Sequence, residues 1–316
     1  MRPLVASGSW RRRRAALVTL LGALILAVAG TAGTASPASA AAGRLVEVTG
    51  FGANPGGLRM FEYVPPGVST RPAVLVVLHF CGGSGPTMFT NTQYANLADQ
   101  FGYVVIYPSV TRSSLCFDVH STQSLTHNGG SDPTSIVSMV RFVEQHSNGD
   151  PNRVFATGLS SGAMMTNVLL GSYPDVFKAG SAYAGVPFSC FAGASEWNSA
   201  CANGQITMTA AQWGGRVRAA FPGFGGARPR MQLWHGTSDA TLNFHNFGEE
   251  IKQWTNVLGV SQTPSTTDHP QSTWTHTTYR NSAGTVLVDA TSEQGVTHNI
   301  PIQASSTIHF FGIDHR

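Results

Sequence analysis

The chain has 316 residues and a formal charge of +3, but Arg2 and Arg11 to Arg14 all lie in the first 40 residues, which hold no acid. Beyond them 14 basic residues face 16 acidic ones, a balance of −2, so the electrostatic case for a nucleic-acid partner disappears. Charged residues make up only 11% of the chain, and its Gly-, Ser-, Thr- and Asn-rich composition suits an extracellular protein handling neutral substrates.

In chain order, Arg11-Arg12-Arg13-Arg14, the apolar run "AALVTLLGALILAVAG" and the small residues ending in Ala38-Ser39-Ala40 have the three parts of a secretory signal peptide, cleaved near Ala40. A membrane anchor is the competing reading. Against it stand the A-x-A site and a run shorter than the roughly 20 residues a span requires. Arg13-Arg14-Ala15-Ala16-Leu17 loosely fits a twin-arginine signal, and four arginines equally suit an ordinary basic region, so the export route stays open. Residues 41–316 show no internal repeat and no Pro/Thr/Ser linker, as expected of one domain without a tethered module.

Two alternating runs, "LVEV" and "RMFEYVP", suggest antiparallel edge strands. Five short apolar runs follow at 73–80, 103–109, 153–158, 179–185 and 231–236, each β-rich and ended by a Gly or Pro signal. Between the second and third, Asp132-Pro133 before "TSIVSMVRFVEQH" reads as a helix start with Asp132 as N-cap. This alternation predicts an α/β fold with a mostly parallel central sheet and helices on both faces. Ligands of such sheets sit at the carboxyl ends of the strands. The polar residues that follow strand ends are His79 to Gly85, Ser160, Asp239 and, after "TVLVDAT", His298.

Gly158-Leu159-Ser160-Ser161-Gly162 fits G-x-S-x-G only with Ser160 central, since the other register puts Leu159 and Ala163 where glycines belong. By itself the pentapeptide is equally consistent with a tight turn. A strand before it, a helix after it, and an acid and a histidine later in the chain follow the order of an α/β-hydrolase triad. A serine hydroxyl needs an imidazole to take its proton and a carboxylate to fix the imidazole tautomer. His298, in "EQGVTHNIP" after the last strand, is the candidate base. His309 reads as packing in the terminal apolar run, and His245, His269 and His276 as solvated surface residues. Asp239, directly after a strand, is the candidate acid, with turn capping as its alternative role and Asp268 and Asp289 as weaker choices. The backbone N–H groups of Ser161, at a helix start, and of Cys81, in the loop after the 73–80 strand, are the candidate oxyanion donors.

Cys81, Cys116, Cys190 and Cys201 are even in number in an exported chain, which favours two disulfides. Zinc is disfavoured because neither C-x₂₋₄-C nor His-x₃₋₅-His spacing accompanies them. The pairing expected is Cys81 with Cys116 and Cys190 with Cys201, on the short separation of the second pair.

The segments "NTQYANLADQFGYVVIYPS", "RVFATGLSSGAMMTNVLLGSYPDVFKAGSAYAGVP", "WNSACANGQI", "GARPRMQLWHGTSDATL" and "GVTHNIPIQ" carry a resemblance across nearly all of residues 41–316. The chain resembles the secreted acetylxylan esterases of carbohydrate esterase family 1 and, more widely, their feruloyl esterase and polyhydroxybutyrate depolymerase relatives. The resemblance implies an α/β-hydrolase fold and puts the triad on Ser160, Asp239 and His298, the oxyanion hole near Cys81 and Ser161, and the family's pocket tryptophan on Trp197. It implies no cofactor or metal. It departs from the family where His79-Phe80-Cys81 replaces His-Gly-Cys, so that Phe80 narrows the mouth or reshapes the acyl pocket. The expected activity is removal of acetyl from an acylated plant polysaccharide by a secreted monomer, with feruloyl ester cleavage and polyhydroxyalkanoate depolymerisation as alternatives. A depolymerase of this group would be expected to carry a separate binding domain. A non-catalytic binding protein is the alternative from another class, and loss of a triad residue would mark it. An acyltransferase is a further alternative, since an acceptor alcohol competes with water for an acyl-enzyme.

Overall fold

A computed structural model of the chain describes residues 43–193 and 195–315. The proposed signal segment, residues 1–40, lies outside them. The strands are β1 (Leu45–Val48), β2 (Arg59–Tyr63), β3 (Val74–Leu78), β4 (Val104–Ser109), β5 (Val154–Leu159), β6 (Ala179–Tyr183), β7 (Arg230–Gly236), β8 (Thr266–Asp268), β9 (Trp274–Arg280) and β10 (Val286–Glu293). The helices are α1 (Gly85–Asn91), α2 (Tyr94–Phe101), α3 (Ser131–His146), α4 (Ser161–Ser172), α5 (Ser199–Ala202), α6 (Ala210–Ala220), α7 (His245–Leu258) and α8 (Ala304–Phe311).

All ten strands form one sheet in the order β1-β2-β4-β3-β5-β6-β7-β10-β9-β8. The six central strands, β4 through β10, are parallel, and β1-β2 and β9-β8 are added antiparallel at the two edges. The central strands are covered on both faces, which is why β3, "VLVVL", is apolar at every position and wholly buried. One core layer packs α3, α4, α6 and α7 on the sheet, and the opposite layer packs α1, α2 and α8. All twelve residues of α4 are buried, so this helix has no polar face and its N-terminus is held by packing on several sides. The chain thus has the mostly parallel α/β-hydrolase architecture, with β1 and β2 antiparallel as their alternation suggested.

Two local expectations need correcting. The N-cap of α3 is Gly130, with no side-chain cap bond, and Asp132 lies within the helix. Asp132 is buried and accepts two hydrogen bonds from the Arg112 guanidinium, at 2.5 and 2.9 Å, and one from the Asp118 N–H at 2.8 Å. A guanidinium fork from another segment outcompetes the local cap. Burial nonetheless raises the Asp132 pKa to about 6, against the pull of Arg112. His309 is the second correction. Its side chain is 82% exposed and paired with Asp314, because α8 turns Ala304, Thr307, Ile308 and Phe311 inward instead.

Candidate active site

The polar residues gather where β3, β4, β5, β7 and β10 end. Ser160 connects β5 to α4 with φ 57° and ψ −117°, a strained conformation for a residue with a side chain. The strain falls on the serine itself, whereas the flanking glycines are required by close approach. A Cβ on Gly158 would stand 2.4 Å from the carbonyl carbon of Gly162, and one on Gly162 would stand 2.2 Å from the Leu78 carbonyl oxygen. The G-x-S-x-G spacing therefore lets α4 start directly against β5 and β3.

Ser160 Oγ lies 2.8 Å from His298 Nε2, and His298 Nδ1 lies 2.7 Å from Asp239 Oδ2. Since the carboxylate can only accept, Nδ1 carries the imidazole proton and Nε2 is free to accept from the serine hydroxyl. Asp239 Oδ1 accepts from the N–H groups of Thr241 and Leu242 at 2.8 and 2.9 Å. The aspartate thus orders its own turn as well as facing the histidine. Burial works to raise its pKa, but hydrogen bonds from His235 and His298 outweigh burial and hold the carboxyl well below the ordinary range.

His235 is the partner that sequence reasoning missed. Fully buried at the end of β7, it places Nε2 2.8 Å from the Leu242 carbonyl and 3.1 Å from Asp239 Oδ2. Both neighbours are acceptors, so Nε2 carries the proton and donates. The i, i+4 spacing of His235 and Asp239 across "WHGTSD" was the available signal.

The structure joins Cys81 to Cys116 and Cys190 to Cys201. Next to Cys116, the Phe117 N–H donates to Ser161 Oγ at 2.8 Å, and Ser161 is buried. The loop after β3, the loop after β4 and the start of α4 are therefore bracketed together by one disulfide and one hydrogen bond. The hydroxyl of Ser161, assigned no task by sequence reasoning, closes the bracket. Among the described residues no protein acceptor takes the N–H of Cys81 or of Ser161.

His79 sets the direction of the first of these. Buried at the end of β3, it accepts from the Val110 N–H through Nε2 at 3.1 Å and donates from Nδ1 to the Phe80 carbonyl at 2.7 Å. The Gly83 N–H donates to the same carbonyl at 2.9 Å. In a planar trans peptide the Cys81 N–H points opposite to the Phe80 carbonyl, so fixing the oxygen fixes the donor. Burial lowers the His79 pKa and keeps its imidazole neutral, as this acceptor–donor role requires.

The remaining candidates stand apart from this chain of contacts. Trp197 is 51% exposed and meets Phe191 edge-on, with ring centroids 5.4 Å apart. Phe80 is partly buried and packs on the core layer of α1, α2 and α8. Among the described residues no ring contact or hydrogen bond joins either residue to Ser160, Asp239 or His298. Asp268 and Asp289, the alternative acids, both hold His276 instead, at 3.0 and 2.9 Å. His276 is therefore not the freely solvated residue its polar neighbourhood suggested.

Residues 58–208 match the Esterase PHB depolymerase family. The chain is 45% identical over 277 residues to feruloyl esterase B of Talaromyces funiculosus, covering 86% of this chain and 78% of that one. It is 41% identical over 303 residues to acetylxylan esterase A of Talaromyces purpureogenus, covering 94% and 78%. The chain belongs to the acetylxylan and feruloyl esterase family. Among solved structures, an acetyl xylan esterase from Aspergillus awamori superposes with a TM-score of 0.82 at 38% identity, covering 86% of this chain and all, 100%, of that one. As a family member the chain is a carboxylic ester hydrolase, and its two disulfides and α/β-hydrolase sheet form the frame in which the strand-end residues sit.

Because the Cys81–Cys116 bridge belongs to the bracket around both candidate donors, its reduction is expected to cost activity before it costs the fold. The bridge contributes about 3 to 4 kcal/mol by loop-closure estimates, short of what unfolds a stable domain of this size. Ester hydrolysis and circular dichroism followed together through a dithiothreitol titration check this. Loss of both signals at one concentration would contradict it.

Proposed function

We propose that the protein is an exported serine esterase that removes acetyl groups from xylan through an acyl-enzyme. The observation that carries this reading is the hydrogen-bonded series Ser160–His298–Asp239 in an esterase-family chain. Ser160 Oγ attacks the ester carbonyl as His298 Nε2 takes its proton, and Asp239 stabilises the imidazolium that forms. The backbone N–H groups of Cys81 and Ser161 receive the developing oxyanion. His298 returns the proton to the departing sugar hydroxyl. Water, deprotonated by the same nitrogen, then attacks the acyl-serine and releases acetate and the free serine. Every proton moved is held by His298 or by a reactant, and the scheme requires no cofactor.

We also propose that residues 1–40 are removed on export and that 41–316 act as one catalytic domain. No helix of the described residues is long and apolar enough to cross a membrane. N-terminal sequencing of the protein from culture medium tests the cleavage point. Initial rates on acetylated xylan, methyl ferulate and a polyhydroxybutyrate suspension test the substrate. A rate on methyl ferulate above that on acetylated xylan would replace acetyl by feruloyl, the reading favoured by the 45% identity to a protein named feruloyl esterase B.

Acetyl preference gives a sharper expectation at Trp197. As a wall of the acyl pocket it would penalise a cinnamoyl group by about 1 to 3 kcal/mol, or ~5- to 150-fold. Trp197→Ala is expected to raise the feruloyl-to-acetyl ratio of kcat/KM toward the lower end of that range, because a half-exposed ring can yield. Exposure also keeps this variant near the parent melting temperature. An unchanged ratio would remove Trp197 from the pocket.

A further inference from the structure

A cavity of about 690 Å³ opens on the sheet face covered by α8, between that helix and strands β7 to β10. None of the triad residues lines it. Its volume falls in the range of ligand-binding pockets, roughly 300 to 1,000 Å³. We propose that this cavity is a second binding site, separate from the triad, for sugar residues of an uncharged polysaccharide chain.

Three features of the lining select that ligand class. The first is a braced aromatic wall. The partly exposed indole of Trp274 meets Trp234 edge-on at 5.3 Å, and Trp234 stacks on the buried ring of Tyr183 at 5.7 Å with 5° between planes. The wall is therefore held rigid before any ligand arrives, and the C–H face of a sugar ring suits such a surface.

The second feature is charge. Arg230 and His276 face Asp268 and Asp289, so the cations and carboxylates of the lining balance. His276 donates from both ring nitrogens, to Asp268 and to Asp289, and the Asp289 hydrogen bond above all raises its pKa to about 9. It is an imidazolium at neutral pH. Arg230 is likewise engaged, donating to the Phe310 carbonyl at 2.7 Å with its guanidinium 4.5 Å from the Phe310 ring centroid. An anionic ligand, such as an aromatic acid or a uronic acid chain, would meet as many carboxylates as cations and gain no net attraction from the lining. A neutral polyol needs none.

The third feature is polar capacity left open. His269 donates from Nδ1 to the Trp274 carbonyl, which leaves Nε2 as an acceptor. Among the described residues no hydrogen bond uses the hydroxyl of Ser306, on the exposed side of α8. An acceptor and a hydroxyl beside an indole match the alternating hydroxyl and C–H surfaces of a sugar ring. The choice of a xylan probe rests on the proposed substrate class, whereas the site itself does not.

The test uses xylohexaose, which has no ester to hydrolyse, titrated into the wild-type enzyme by calorimetry. Wild type is expected to bind it, with affinity little changed between low and high salt. Trp274→Ala removes the stacking surface, and Ser306→Trp plugs the cavity from an exposed position where the fold tolerates bulk. Each is expected to weaken binding about tenfold. Each should leave kcat/KM for 4-nitrophenyl acetate within about twofold of wild type. A trigalacturonate control should not bind. Failure of wild type to bind at millimolar xylohexaose, unchanged affinity in both variants, or tighter binding of trigalacturonate would each overturn the proposal. Those outcomes with acetylated xylan still hydrolysed would sink the second site alone. Intact, variant-sensitive xylohexaose binding without hydrolysis of acetylated xylan would sink the substrate reading alone.

Discussion

Ser160→Ala is expected to abolish ester hydrolysis, lowering kcat by about 10⁶, the size of loss typical for a removed triad nucleophile. The neighbouring Ser161→Ala behaves differently, and not only because its backbone N–H survives. Its hydroxyl accepts from the Phe117 N–H inside the bracket that holds Cys81. Replacing it leaves a buried donor without an acceptor, at a cost of about 1 to 3 kcal/mol in stability. The donor N–H remains in place, so the loss of activity should fall well short of the ~10²- to 10³-fold that follows removal of an oxyanion donor. Single-turnover rates with 4-nitrophenyl acetate and thermal melts of both variants separate the roles. A full melting temperature with no activity belongs to Ser160→Ala, and a lowered melting temperature with most activity belongs to Ser161→Ala. Equal loss of activity in the two would overturn the assignment of Ser160 as nucleophile.

The contrast between adjacent serines also shows where sequence reasoning stops. Strands such as "VLVVL" were legible because burial on both faces makes every position apolar, and that is a local property of the chain. The order Ser160, Asp239, His298 was legible because each residue follows a strand end, and strand ends converge in a parallel sheet. Arg112 with Asp132, Phe117 with Ser161, and Val110 with His79 were not legible. Each pair joins segments 20 or more residues apart by one or two hydrogen bonds, and no periodicity or spacing encodes such a contact. The Asp132 error has this origin, since Asp-Pro before an apolar run satisfies the local rule for a cap while the distant guanidinium decides the outcome. His235 lay closer to reach. Its position four residues before Asp239 was visible, but only the turn of "HGTSD" shows both histidines donating to one carboxylate.

That shared carboxylate makes Asp239→Asn the second large effect, expected to lower kcat by about 10⁴ with the fold retained. One oxygen of Asp239 accepts from two backbone N–H groups, Thr241 and Leu242, and the other faces the donors His298 Nδ1 and His235 Nε2. The amide oxygen of the replacement keeps the backbone donors, so its NH₂ must take the second place, donor against donor. His298 can relieve the clash by moving its proton from Nδ1 to Nε2. The nitrogen that should accept from Ser160 is then already protonated, and the serine cannot be activated. KM should change little, because no part of this rearrangement touches the bound substrate. Stability supplies an independent check with a definite sign. The folded pKa of Asp239 lies below its unfolded value, so the carboxylate's contribution is fully present above pH ~4 and fades as pH falls toward the folded pKa. The difference in melting temperature between wild type and Asp239→Asn should therefore be largest near neutrality and shrink below about pH 4. A variant retaining a tenth or more of wild-type kcat would show that Asp239 does not set the His298 tautomer. A melting difference that grew on acidification would show that its carboxylate is not the one held ionised in the fold.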